Sequence, residues 1–389
     1  MALTRRRFVQ TAGIGAVGSV TSSWIGARGR ENALWSIVEP TRQASEPGVI
    51  VLASNENPLG PSATVMNAVK AAFGEQGRAP GRYAHTGDLI DAIAKKQGVK
   101  AENVVLGCGS TQILRSATHL FTATDKPLVG TIPTYEECAA YAEMMGHPVR
   151  AVALDAAFKI DLDKLADASR GAGLVFYCNP NNPTATYVGA RATRDFLTKV
   201  TRESPDTTIL VDEAYFDYVS GPDHDTHIPV AIENPRILVA RTFSKAYSLC
   251  FQRVGYFVGH PELIAALHKI RDSYNVNGLG QIAAEATLDD LKYYRANFRK
   301  IIAVREKLSR ELTKLGFRVL PSQTNFILAQ PPRFPAKDWL QRLRARKILV
   351  RWFGAPEVKD YLRVTIGTAA EAEALAKAVG RILHLTRRV

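Results

Sequence analysis

The sequence predicts an α/β protein in which a mainly parallel sheet lies between helices, with a smaller α+β domain beside it. Short apolar runs alternate with stretches of helical periodicity through the middle of the chain, which is typical of parallel sheets wrapped by helices. The 389 residues, 46% of them hydrophobic, are enough for one large and one small domain. No internal repeat or low-complexity tract is present.

Four segments follow from this pattern. We predict an export leader at residues 1–30, an N-terminal segment of the small domain at 31–60, a large domain at 61–290 and the C-terminal small domain at 291–389. A charged stretch with periodic apolar residues, at about 280–315, is predicted to be a helical region that links the two domains.

The leader carries much of the basic charge. The formal net charge is +13, and residues 1–30 include five arginines and no acidic residue. The run Arg5–Arg7, followed by a weakly apolar stretch at 11–27, resembles a twin-arginine export signal. We therefore expect a periplasmic or otherwise exported protein. A cytoplasmic protein with a basic tail, or one tethered to the membrane by an uncleaved leader, is the alternative.

Several motifs do not indicate a function. The G-x-G-x-x-G pattern at Gly13–Gly18 follows arginines rather than a strand, so it does not predict a dinucleotide site. No basic cluster with interleaved aromatic residues suggests nucleic-acid binding. The Asp223–His227 segment has metal-ligand residue types, but we interpret it as a solvated loop and predict no metal. The four widely spaced cysteines are predicted to be buried free thiols, although export would permit a disulfide.

A lysine follows one of the predicted buried strands. The apolar run at 237–240 leads into Thr242, Ser244 and Lys245, and Arg253 precedes the next apolar run. Open α/β sheets bind ligands at such strand ends. An amine that loses hydration there becomes a nucleophile toward a carbonyl. These residues predict a site for a phosphate and an aldehyde, with a surface lysine at a strand end as the alternative.

Other strand ends carry further polar residues. Ser110 and Thr111 stand between a strand and a helix, where they either bind phosphate or simply cap the helix. Asp212 ends a buried strand and needs a partner, either a protonated ring nitrogen or a structural ion pair. Asn182 is a donor to a phenolate oxygen or part of a turn. Tyr135 either stacks on a planar ring or belongs to the core.

Together these segments resemble the pyridoxal-phosphate (PLP) aminotransferases of fold type I, in particular the histidinol-phosphate aminotransferase branch. The segments that carry the resemblance are Asn55–Gly60, Arg82–Tyr83, Pro133–Tyr135, Asn179–Thr184, Val211–Tyr215, Thr242–Tyr247, Arg253–Tyr256, Val350–Arg351 and Leu362–Thr368.

The resemblance implies PLP as the cofactor and a role for each candidate residue. Lys245 would form the imine with PLP and move a proton between substrate and cofactor, and Asp212 would keep the ring nitrogen protonated. The ring would be contacted by Tyr135, Asn182 and Tyr215. The phosphate would be held by Ser110, Thr111, Thr242, Ser244, Arg253 and, from the other subunit of a homodimer, Tyr83. The substrate would be bound by Arg363, Arg351 and Asn57.

The implied reaction moves an amino group between an amino acid or amino-alcohol phosphate, of the histidinol-phosphate or aromatic type, and a 2-oxo acid. A PLP-dependent decarboxylase or lyase of the same fold is one alternative, and a non-catalytic periplasmic binding protein is another. Two departures from the family pattern stand near the site. Ala185 replaces a usual glycine and would be strained at positive φ. Bulky Phe251 and Gln252 are predicted to alter the geometry beside the cofactor.

Overall fold

The computed structural model describes residues 46–73, 83, 85 and 87–385. The predicted leader and its export signal, and Arg82 of the family segments, lie outside these residues. The strands in chain order are β1 (Ile50–Leu52), β2 (Val104–Cys108), β3 (Leu128–Ile132), β4 (Val149–Ala153), β5 (Leu174–Cys178), β6 (Thr208–Asp212), β7 (Ile237–Thr242), β8 (Val254–Gly259), β9 (Arg318–Val319), β10 (Phe326–Gln330), β11 (Ile348–Trp352) and β12 (Leu362–Thr365).

Helices connect most of these strands. They are α1 (Ala63–Ala71), α2 (Gly87–Gln97), α3 (Gly109–Phe121), α4 (Glu137–Met144), α5 (Leu162–Ala168), α6 (Ala190–Glu203), α7 (Ile228–Glu233), α8 (Pro261–Ile270), α9 (Gly278–Asp289), α10 (Leu291–Lys314), α11 (Ala336–Arg344) and α12 (Ala369–Leu385). The predicted helical region at 280–315 is thus two helices, because the backbone of Asp290 (φ −118°, ψ 40°) leaves the helical conformation. In the part of the chain that is described, no helix combines the length and apolar character that a membrane crossing requires.

The large sheet has the strand order β2-β8-β7-β6-β5-β3-β4. Its pairs are parallel, except that β8 runs antiparallel to both β2 and β7. Strands β5, β6 and β7 are buried along their whole length. Alternate residues of these strands enter hydrophobic cores on opposite faces of the sheet. Burial on both faces explains why these strands are continuous apolar runs in the sequence.

The smaller sheet has the order β1-β11-β12-β10-β9. Strand β1 pairs in parallel with β11, with Ile50 opposite Ile348, so a segment from the beginning of the chain completes the C-terminal sheet. The predicted α/β class, with a large unit and a smaller α+β unit, is therefore confirmed. The exact domain boundaries stay predictions.

The cysteines differ from the sequence prediction at one position. Cys138 and Cys178 are buried and Cys250 is half-buried, but Cys108 is exposed, so the prediction of a buried thiol is wrong there. Cys108 is the last residue of β2, where the strand leaves the core and helix α3 begins. All four thiols are free.

Candidate active site

The polar strand ends converge on one cavity of about 350 Å³. It lies at the carboxyl ends of β5, β6 and β7, the position where open parallel sheets bind ligands. The predicted site residues that line it are Ser110, Thr111, Tyr135, Asn182, Asp212, Tyr215, Thr242, Ser244, Lys245, Arg253, Arg351 and Arg363.

Lys245 follows β7 and faces the cavity. Its Nζ donates a hydrogen bond to the carbonyl of Ser54 at 3.3 Å and lies 6.0 Å from the centre of the Tyr215 ring. No acidic side chain forms an ion pair with it within the described residues. Burial, reinforced by the charge of Arg363, lowers the pKa of Lys245 to about 8. The amine is therefore poised to lose its proton and act as a nucleophile.

Asp212 is a buried carboxylate without a cationic hydrogen-bond partner among the described residues. Its side chain is held at the end of β6 by the backbone N–H of Ala214, at 3.1 Å, and by the thiol of Cys178, at 3.9 Å from Sγ to Oδ2. Burial raises the pKa of Asp212 to about 6. A protonated ring nitrogen would supply the missing positive partner, so this acid fits PLP.

The amino-terminal end of α3 forms the second wall. Ser110 and Thr111 lie in its first turn, where helix N–H groups are free to bind an anion. The Arg253 guanidinium donates to Ser244 Oγ at 3.3 Å and to the carbonyl of Cys250 at 2.9 Å. The φ of Gly109 is +67°, which favours glycine, and a Cβ atom there would push the Arg253 guanidinium out of its place. These donors fit a phosphate group.

Arg363 forms the third wall, on β12 of the small sheet. It donates to Asn182 Oδ1 at 2.7 Å and to the carbonyl of Ala53 at 2.8 Å, while its buried Nε has no partner. Burial lowers the pKa of Arg363 to about 10, which still leaves it charged at neutral pH. Within the described chain no carboxylate pairs with it. This cation fits an anionic group of a substrate.

Two tyrosines lie between these walls. The Tyr215 hydroxyl accepts a hydrogen bond from Asn55 Nδ2 at 2.9 Å, and its ring packs edge-on against Phe326. The Tyr135 ring packs against the hydrophobic core, and burial raises the pKa of its hydroxyl. Both rings are thus held in place by other residues of the protein.

Two predicted residues do not line the cavity. Asn57 donates through Nδ2 to the carbonyl of Ala246 at 2.8 Å, and its Oδ1 accepts from the N–H of Leu59 at 3.0 Å. Both polar ends are therefore used to hold the loop after β1, instead of lining the pocket as predicted. Tyr83 is 73% exposed and stacks on Tyr274, with ring centroids 4.3 Å apart, away from the cavity of its own chain.

The two departures from the family pattern have different outcomes. Ala185 has φ +64°, the left-handed conformation that the replaced glycine would favour. Phe251 is 90% exposed, so its bulk is directed away from the cavity and Cys250 lines the wall instead. Left-handed backbone at Ser248 (φ +60°) and Arg253 (φ +56°) produces this turn.

The Asp223–His227 segment is a loop with exposed Asp223 and Asp225, as the sequence suggested, but its last residue, His227, is only 2% exposed. Glu213 Oε1 accepts from both the backbone N–H and Nδ1 of His227, each at 2.9 Å, and Oε2 pairs with Arg241 at 2.7 Å. Burial alone would raise the pKa of Glu213, but Arg241 and His227 lower it to about 2. No metal-binding group occurs in residues 46–73 or 87–385.

The sequence reasoning also missed cavity residues. Asn55, Glu136 and Cys250 line the cavity beside the predicted set. Asn55 lies within a segment that carries the family resemblance and Glu136 directly follows one, so position was an available signal for these two, whereas Cys250 lies between two such segments. Which side chains turn inward could not be read from the segments themselves.

Comparison with known proteins agrees with this geometry. Residues 47–382 match the family model for aminotransferases of class I and II. The chain is 35% identical to histidinol-phosphate aminotransferase 1 of Bradyrhizobium diazoefficiens, over 90% of this chain and 95% of that protein. It is 36% identical to the histidinol-phosphate aminotransferase of Gluconacetobacter diazotrophicus, over 88% and 94%.

A solved structure supports the same conclusion. The histidinol-phosphate aminotransferase of Sinorhizobium meliloti, in complex with pyridoxal-5'-phosphate, is similar with a TM-score of 0.79 and 26% identity, covering 91% of this chain and 100% of that one. The chain belongs to the class I and II aminotransferase family. It is a PLP-dependent aminotransferase, as the sequence predicts, and the decarboxylase and binding-protein alternatives are not favoured.

Proposed function

We propose that this aminotransferase takes the amino group from an amino-alcohol phosphate or amino acid of the histidinol-phosphate or aromatic type and passes it to a 2-oxo acid. The observation that carries the proposal is the presence in one cavity of three charges, two buried and one half-buried, without ionic partners in the described chain. They are the Lys245 amine, the Asp212 carboxylate and the Arg363 guanidinium.

Each of these groups has a distinct task. When bound, PLP supplies an aldehyde and an electron-withdrawing ring that stabilises negative charge at the substrate α-carbon. Asp212 holds a proton on the ring nitrogen. Lys245, whose pKa is lowered to about 8, accepts the α-proton and returns it at a different atom. Arg363 orients the donor by binding its phosphate or carboxylate.

A half-reaction screen tests the proposed donor. The purified holoenzyme is mixed with histidinol phosphate, phenylalanine or tyrosine, without an oxo acid, and the cofactor absorbance is followed. We expect rapid conversion to the amine form with histidinol phosphate. Carbon dioxide release from a phosphorylated amino acid would instead favour a lyase, and protein without a cofactor band would favour a binding function.

We also propose a homodimer in which Tyr83 of one subunit reaches the phosphate end of its partner's cavity. Its 73% exposure in the single chain supports this arrangement. The test mixes Lys245→Ala with Tyr83→Ala protein. In a mixed dimer one cavity would contain both intact residues, so activity should rise above that of either variant. If mixing gives no increase although mixed dimers form, the site does not use the partner's Tyr83.

Export by the twin-arginine route remains a proposal based on residues 1–30. Fractionation of cells that produce the full chain should find activity in the periplasm. Replacing Arg5 and Arg6 with lysine should retain it in the cytoplasm. Equal distribution of both proteins would contradict the proposal.

A further inference from the structure

One acidic side chain in the cavity has no part in the chemistry described so far. Glu136 directly follows Tyr135 and precedes α4. It lines the same cavity as Lys245 and Arg363. Its neighbour Glu137 pairs with Arg115 outside this cavity, so the two consecutive acids have different surroundings.

The Glu136 carboxylate is not neutralised by an ion pair. Its side chain makes none with any cationic residue in the described part of the chain, although the charges of Arg363 and Arg351 both act on it. The two NH groups of Arg363 are already directed to Asn182 and Ala53. Burial raises the pKa of Glu136, and the charges of these two arginines oppose that rise. A partly buried acid facing the donor space therefore needs a partner.

Because Glu136 lies near Arg363, only some ligand groups can serve as its partner. A donor whose anionic end binds Arg363 places its side group in the same cavity as the Glu136 carboxylate. A second anionic group would be repelled by the carboxylate. A plain phenyl ring would remove water from Glu136 without replacing its hydrogen bonds. An imidazole or another nitrogen-containing ring offers an N–H donor.

We propose that Glu136 selects amino donors whose side group carries an N–H or a positive charge, while Arg363 binds their anionic end. This inference rests on the proposed function and narrows it, because it separates imidazole donors from simple aromatic ones. Glu136 would then determine specificity without taking part in proton transfer.

The test compares two donors that differ only in the ring: histidinol phosphate and phenylalaninol phosphate. For each donor, the second-order rate constant of the amino-donor half-reaction is measured under single-turnover conditions. The proteins compared are the wild-type holoenzyme, Glu136→Gln, Glu136→Asp and the control Glu137→Gln. We expect the wild type to prefer the imidazole donor by about ten- to a hundredfold. Glu136→Gln should reduce that preference at least about tenfold, Glu136→Asp should reduce it less, and Glu137→Gln should retain it.

The outcomes separate the two proposals. Equal loss with both donors in Glu136→Gln would mean that the acid supports the cavity electrostatically, and the inference would be overturned. An unchanged preference would overturn it as well. If the wild type converts neither donor, the proposed function fails, and the inference fails with it. Should Glu136→Gln not fold, as judged by thermal melting, Glu136→Asp decides by the same comparison.

Discussion

Asp212 and Glu213 are consecutive carboxylates at the end of β6, and they have opposite environments. Both are almost completely buried, at 3% and 2% exposure. Asp212 faces the cavity and has no cationic partner among the described residues, whereas Glu213 is paired with Arg241 and His227. The pKa of Asp212 is accordingly raised to about 6, and that of Glu213 is lowered to about 2.

The arginines repeat this contrast. Arg241 is paired with Glu213 and lies over the Phe216 ring at 3.9 Å, while Arg363 faces the cavity without an acidic partner in the described chain. Burial of a charge is costly unless it is compensated. At Glu213 and Arg241 the protein compensates its own charges, whereas in the cavity the ligands must do so. Unpaired buried charges therefore mark the site more clearly than burial alone.

The largest expected effect comes from Asp212→Asn, which removes the unpaired acid. Turnover should fall at least about a hundredfold, as when other preorganised electrostatic groups are removed. At pH 7 the cofactor-free fold should be more stable than the wild type, by up to about 3 kcal/mol, because the variant removes a buried unpaired charge and loses no native ion pair. Steady-state kinetics and urea unfolding measure the two quantities. A variant that keeps wild-type turnover would contradict the assignment of Asp212.

Glu213→Gln should show the reverse pattern. It leaves Arg241 buried without its carboxylate, so the free energy of unfolding should fall by about 3–5 kcal/mol. The control Glu137→Gln breaks a partly exposed pair with Arg115 and should cost less than about 1 kcal/mol. Equal losses in the two variants, measured by urea unfolding, would show that the buried network does not stabilise the fold as described.

The two acids should also act in different pH ranges. The folded-state pKa of Asp212, about 6, is above the ordinary 3.8, so its stabilising contribution is complete below pH 3.8 and is lost as pH rises through 6. The folded-state pKa of Glu213, about 2, is below the ordinary 4.5, so its contribution is present above pH 4.5 and is lost as pH falls through 2.

Urea unfolding of the cofactor-free protein between pH 2 and 7 can separate these contributions. As pH rises from about 4 to 6, ionisation of Asp212 should lower the free energy of unfolding of the wild type by about 3 kcal/mol. Asp212→Asn should not show this decrease. Glu213→Gln should flatten the stability profile only below pH 4.5. If Asp212→Asn follows the wild-type profile throughout, another group of the protein compensates the charge of the Asp212 carboxylate.

The smallest effect concerns Ala185, whose backbone is left-handed. Glycine there would relieve about 1 kcal/mol of strain, but it would also remove a buried methyl group of similar value. Ala185→Gly should therefore change the free energy of unfolding by less than about 1 kcal/mol. Ala166→Gly, in the buried face of α5, is the control and should destabilise more. An equal loss at both positions would exclude strain at Ala185.

The sequence alone was sufficient for much of the fold and for most of the charged and polar residues of the cavity. Strands such as β6 and β7 were predictable because burial on both faces makes them apolar throughout. Lys245 and Asp212 were predictable because polar residues at the ends of such strands meet at one edge of the sheet. The family resemblance supplied their roles.

The features of the structure that could not be predicted from the sequence depend on contacts between distant segments. The Glu213–Arg241 pair joins neighbouring strands 28 residues apart, and His227 enters it from a loop whose composition suggested solvent. The outward direction of Phe251 depends on left-handed backbone at Ser248 and Arg253, which side-chain size does not reveal. Asn57 has the predicted location in its loop, but its hydrogen bonds to the backbone decide its role.

We assign the Lys245 amine and the Asp212 carboxylate to one cofactor site. Borohydride reduction of the holoenzyme, followed by proteolysis and mass spectrometry of the lysine-containing peptides, tests this assignment. We predict one pyridoxyl group per chain, attached at Lys245, and a cofactor absorbance band that is shifted by Asp212→Asn. A pyridoxyl group on another lysine, or none at all, would contradict it.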